Sequence, residues 1–165
     1  MSYTNASQSV LNVSDLIYDR LRKLGHAVET LKLQKLLYYS TAWSVTLRGR
    51  ELFTDEIQAW KHGPVVASLY GFHSRKIVLD RSMGGDLRHV SPDDRVFINC
   101  VIDAYGDMSG WALREMTHHE TPWIEAWEAS QKGALRGYPI SRSSMAAYFR
   151  TQPIPASLRG YASAS

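Results

Sequence analysis

From residue 12 onward, apolar residues recur at the three- and four-residue spacing of one helix face. Val13, Leu16, Ile17, Leu21 and Leu24 form the first stripe, with Asn12 and Asp15 placed as an N-terminal cap and Gly25 as the stop. Thr30 caps a second helix, "LKLQKLLYYSTAWSVTLRG", whose stripe runs Leu33, Leu36, Leu37, Trp43 and Leu47 to a stop at Gly49. Thr54, followed by Asp55 and Glu56, opens a short helical piece ending near Lys61. Gly63 breaks that piece, and Pro64 restarts a helix, because proline is accommodated where the first N–H is not needed. Ser91-Pro92-Asp93-Asp94 starts a helix through Val96, Phe97, Cys100, Val101, Ala104 and Tyr105 to Gly106. Others run from Trp111 to His118, from Thr121-Pro122 through Trp123 and Trp127, and from Ser141 over "RSSMAAYFR", with Ile140 and Met145 spaced as a hydrophobic staple.

"KIVL" and "LRHV" flank Gly84-Gly85-Asp86, the pattern of a small β-hairpin near 77–90. The sum is a mainly α, compact single-domain fold of about seven helices joined by short loops. Residues 1–9 are polar and 153–165, "PIPASLRGYASAS", are rich in Pro, Ser, Ala and Gly. Both read as flexible tails around a helical domain at 10–152.

Composition narrows the class. A chain of 165 residues with 44% hydrophobic and 21% charged positions can bury a real core, which excludes wholesale disorder. The single cysteine, Cys100, allows neither an intrachain disulfide nor a cysteine-based zinc site and suits a reducing compartment. The N-terminus lacks the basic and apolar blocks of a signal peptide, and no apolar run approaches a membrane span. A cytoplasmic protein without a membrane partner is expected. The net charge of +3 reflects 19 basic against 16 acidic residues with no block of like charges, so nucleic acid is not the favoured partner.

Candidate chemistry is sparse. Glu115-x-x-His118 puts two ligand types on one helix face, but a di-iron bundle needs two such pairs and further glutamates. Cys100 falls on an apolar face, where a thiol behaves as a small hydrophobe. Neither a nucleophile elbow nor a phosphate-binding glycine loop occurs. No catalytic, metal or cofactor site is therefore assigned, and the chain is not expected to be an enzyme. Lys61-His62-Gly63-Pro64 admits two readings: an anion site at a helix start, or a stiff corner between two short helices. The corner is favoured, since Pro64 removes a donor and Val65 and Val66 add neither hydroxyl nor charge. Aromatic residues are many, five Trp and nine Tyr. Tyr39 cannot share a face with Tyr38 and is expected at the surface, where Trp and Tyr near Arg are typical of protein-binding hot spots.

Four stretches together resemble one family. "LKLQKLLYYSTAW", "LFTDEIQAWKHGPVVASLY", "THHETPW" and "PISRSSMAAYF" follow the order of the Panacea domain of SocA-like antitoxins, which also occurs in phage-associated proteins of the GepA type. The matching positions are Leu33, Lys35, Leu36 and Tyr38, with Trp43 in the same stretch; Ala59, Trp60, Gly63, Pro64, Val65 and Tyr70; His118, Pro122 and Trp123; and Ile140, Ser141, Tyr148 and Phe149. The resemblance implies a bacterial or prophage antitoxin that binds a cognate protein toxin, in at least one branch handing it to a protease. It leaves a homodimer open. It also implies that Gly63-Pro64 is scaffold, since antitoxins of unrelated toxins share it. Two other classes stay in view. One is a DNA-binding regulator using 92–105 and 110–118 as a helix-turn-helix, with Arg114 its one long cation. The other is a small metal-dependent enzyme using His62, Glu115, His118 and His119.

Overall fold

The computed structural model describes residues 6–73 and 76–162. Its order is α1 (Gln8–Lys23), β1 (Val28–Glu29), α2 (Thr30–Leu47), β2 (Ile57–Trp60), β3 (Gly63–Val66), α3 (Tyr70–His73), β4 (Val78–Leu79), α4 (Pro92–Tyr105), α5 (Gly110–His118), α6 (Thr121–Ala129) and α7 (Arg142–Phe149). The mainly α, compact class expected from the periodicity is what the chain adopts.

α2 runs through the centre and is buried on every side from Lys32 to Ser44. It packs against α7, α5, α4, α1 and β3. The expected single stripe is therefore only part of its buried surface, as befits a helix enclosed by others. Tyr38 and Tyr39 are both fully buried, so the surface position expected for Tyr39 is not found. Tyr39 stacks on Tyr105 at 4.3 Å, and Trp43 meets Phe149 edge-on at 5.0 Å and donates its Nε1–H to the Tyr105 hydroxyl at 2.7 Å.

The β-structure lies elsewhere than expected. β2 and β3 form an antiparallel hairpin in the register Ile57–Val66 to Trp60–Gly63, so Lys61 and His62 make the turn. The helical piece before Lys61 and the helix restarting at Pro64 are both absent; Ile57 and Ala59 point inward from a strand. At 77–90 there is no hairpin. Val78–Leu79 pairs with Val28–Glu29 instead, and Leu87–His89 is a 3₁₀ turn.

Caps explain several boundaries. Ser91 and Ser141 accept from the backbone N–H groups of Asp94 and Ser144, as the sequence suggests. α1 starts earlier than expected, at Gln8, capped by Ser7. Asn12 and Asp15 therefore do not cap it and instead pin the 83–86 loop on α1. Asp15 Oδ1 accepts from Met83 N–H at 2.7 Å, and Asn12 Oδ1 from Asp86 N–H at 2.7 Å. Thr30 is not an N-cap; its hydroxyl and N–H donate to the Lys76 and Ile77 carbonyls, tying α2 to the strand β4 region.

Part of each stretch read as a tail is regular structure, α1 beginning at Gln8. Residues 156–161 form a 3₁₀ turn packed on α4, with Leu158 fully buried and Tyr161 edge-on to Phe97. Residues 1–5 and 163–165 lie outside the described residues.

Candidate functional site

Several matched positions, Lys35, Trp60, Gly63, Pro64, His118 and Trp123, meet at the β2–β3 hairpin, which is clasped from two directions. From α2, Gln34 and Lys35 complete the outer edge of β3. Gln34 Oε1 accepts from the Val66 N–H at 2.8 Å, and its amide nitrogen faces the Val66 carbonyl. Lys35 Nζ donates to the Pro64 carbonyl at 3.0 Å. Side chains thus stand where a further strand would, and Pro64 is tolerated because this edge asks no N–H of it.

From α5 and α6, Trp123 donates its Nε1–H to the Trp60 carbonyl at 2.8 Å. His118 places Nε2 2.9 Å from the Lys61 carbonyl and Nδ1 2.7 Å from the Arg114 carbonyl. The two rings lie 4.0 Å apart, and Trp123 stacks on Trp127. Both His118 nitrogens therefore face backbone carbonyls and are engaged within the chain.

Gly63 closes the clasp. Its φ of +106° belongs to the region that favours glycine, and a Cβ there would lie 2.6 Å from Lys35 Cε and 2.8 Å from Thr117 Oγ1. Neither Lys61 nor His62 has positive φ, so the conformational demand of the turn falls on Gly63. The expected corner between two short helices is not found: Gly63 and Pro64 open β3 directly after the Lys61-His62 turn. The anion reading loses its basis, because no helix begins at Pro64.

Lys35 is fully enclosed, and burial, with Arg114 nearby adding a like charge, lowers its ammonium to about 7. Among the described residues it has no carboxylate partner. Glu120, just beyond His118, shows the mirror case. Burial raises its carboxyl to about 8, and only the Tyr39 hydroxyl, donating at 2.9 Å, offsets this.

Other candidates lie apart or are already engaged. Leu36, Tyr38, Trp43 and Phe149 are core residues behind the clasp. Val65 is buried on β3, whereas Trp60 is only half-buried and Tyr70 is 53% exposed, the two rings 5.2 Å apart. Trp60 is thus only partly covered. Arg114 lies over Trp111, donates to His62 Nδ1 and pairs with Glu115, so the single long cation of α5 is committed within the molecule rather than offered to a DNA groove. Cys100 is half-buried, and burial raises its thiol. Among the described residues no three His, Cys, Asp or Glu are grouped to hold a metal ion, and no helix is long and apolar enough to cross a membrane.

Gln34 is legible in the sequence only as a polar position in an apolar run. The signal that could find it is the adjacent pair Gln34-Lys35 inside a helix that is otherwise apolar on most sides.

The sequence profile of the family described as "Antitoxin SocA-like, Panacea domain" matches residues 33–124, more than half of the chain. Antitoxin SocA of Caulobacter vibrioides (strain NA1000 / CB15N) is 31% identical over 124 residues, covering 67% of this chain. The match covers 66% of that protein, just under two thirds of its length. No solved structure matches the chain.

Proposed function

Because the chain belongs to the Panacea-domain family of SocA-like antitoxins, we propose that it is an antitoxin that neutralises a toxic protein by binding it directly. The family match carries this reading, and no catalytic step is assigned to the chain. Two features of the site agree with a binding role. The motif residues inside the clasp are used up in holding the hairpin, which leaves them no chemistry to perform on a substrate. The aromatic residues outside it remain half-exposed, the form in which Trp and Tyr act as binding anchors.

Direct binding is the common step; the toxin is then either occluded or passed to a protease. Expressing the gene adjacent to this one should arrest growth, and co-expressing this chain should restore it. A harmless neighbour, or failed rescue with both proteins soluble, overturns the reading. The toxin's half-life with and without this chain separates the routes: a shortened half-life means delivery to a protease, an unchanged one occlusion.

A further inference from the structure

A groove of about 610 Å³ runs along the outer face of the hairpin, between β2 and the loop following α6. Its walls are Trp60, Tyr70, Trp127 and Leu135, the last 48% exposed. Lys61 and Arg136 line it as well, and no Asp or Glu does. Both cations are exposed, and among the described residues neither is in an ion pair.

The walls are held in place before anything binds. Trp60 donates its Nε1–H to Gln58 Oε1 at 2.9 Å, and its ring leans on Tyr70. Trp127 is fixed by its stack on Trp123 and by Gly133, whose φ of +91° lets the backbone lie so close that a Cβ would sit 2.8 Å from the indole. Gln131 and Lys132 both adopt positive φ, so this loop keeps an unfavourable shape that the structure around it imposes. Rigid aromatic walls lose little freedom on binding, which leaves more of the contact energy for affinity.

We propose that this groove seats an apolar side chain flanked by carboxylates, presented by an acidic segment of the protein partner. The inference deepens the antitoxin reading and rests on it for the partner being a protein. The aromatic walls supply the apolar anchor site, and the two unpaired cations supply the charge complement that selects acidic flanks. Single-stranded nucleic acid also stacks on aromatic rings, but it needs a cationic track along its phosphates. Two cations at one groove do not make one.

The five tryptophans make the test direct, since each indole N–H gives its own signal in a ¹⁵N spectrum once assigned by Trp→Phe variants. Three probes are titrated: an acetylated, amidated peptide Glu-Glu-Leu-Phe-Glu-Glu, its counterpart with every Glu replaced by Lys, and oligothymidylate. The acidic peptide should shift the Trp60 and Trp127 signals and leave buried Trp43 in place. The double variant Lys61→Glu, Arg136→Glu should weaken that peptide about tenfold or more, keep the wild-type melting temperature, and gain affinity for the Lys peptide. Equal response to both peptides, response to oligothymidylate alone, shifts confined to Trp111, or no shift at millimolar peptide would each overturn the proposal. Failure here with successful growth rescue removes the groove and keeps the antitoxin; the reverse pair of results removes the antitoxin and keeps the groove.

Discussion

The two strands of the β2–β3 hairpin carry neighbouring residues of one motif into different environments. Along β3, Gly63, Pro64 and Val66 are closed off by Gln34, Lys35 and Thr117. Trp60, Lys61 and Tyr70 instead border an open groove. Along β2 the strand pleat turns Ile57 and Ala59 inward and Gln58 and Trp60 outward, whereas β3 is buried throughout. The lesson is that a motif shared across a family need not have one purpose. In this chain the buried residues hold the hairpin, and the exposed ones border the groove proposed above as a binding surface.

The contrast breaks most sharply at the core behind the clasp. Leu36→Ala and Trp123→Ala should each cost roughly 2–5 kcal/mol, a large share of the stability of such a domain, and denaturant melts should show it. Gly63→Ala comes next, at ~1–3 kcal/mol, because it forces a side chain into a disfavoured φ and against Lys35 and Thr117. A melt of Gly63→Ala indistinguishable from wild type would mean the clasp is not what holds the hairpin.

Charge sharpens the same contrast through pH. In the unfolded chain a lysine keeps its proton to about 10.4, whereas folded Lys35 releases it near 7. Between those values the unfolded state binds more protons, so this group makes stability rise with pH. Glu120 acts the other way. Its folded carboxyl keeps a proton up to about 8, the unfolded one only to about 4.3, so stability falls as pH rises through that window. His73, lowered to about 4 by burial, adds a rise at acid pH, so the contributions must be separated by variants. Lys35→Met should flatten the alkaline rise and Glu120→Gln the fall between acid and neutral pH, both read from melting temperature against pH. Profiles parallel to wild type would show that these groups titrate normally. The smallest effect belongs to the groove: Lys61→Ala should change stability by no more than about 0.5 kcal/mol.

Sequence patterning reaches the helices better than the hairpin. α4 and α5 fall where Ser91-Pro92, Gly106 and the stretch from Trp111 to His118 place them, because local caps and breakers set their ends. The hairpin misleads because Thr54-Asp55-Glu56 imitates a helix start, while what makes 57–66 a sheet is distant: Gln34 and Lys35 on one edge, and on the other the Tyr138 carbonyl accepting from Ala59 N–H. Asn12 and Asp15 mislead for the same reason, since their partners at 83–86 are far along the chain. The matched motif includes residues of both the clasp and the groove. It cannot separate clasp from groove, because a single sequence does not say which face of a strand is covered.

The most direct test joins clasp and groove in one experiment. Tyr70→Ala combined with Leu135→Ala removes exposed groove walls and leaves the clasp untouched. Growth of cells expressing the adjacent gene is then measured with this variant in place of the wild-type chain. The expected result is a soluble protein with the wild-type melting temperature that no longer restores growth. Full rescue by that variant would contradict it.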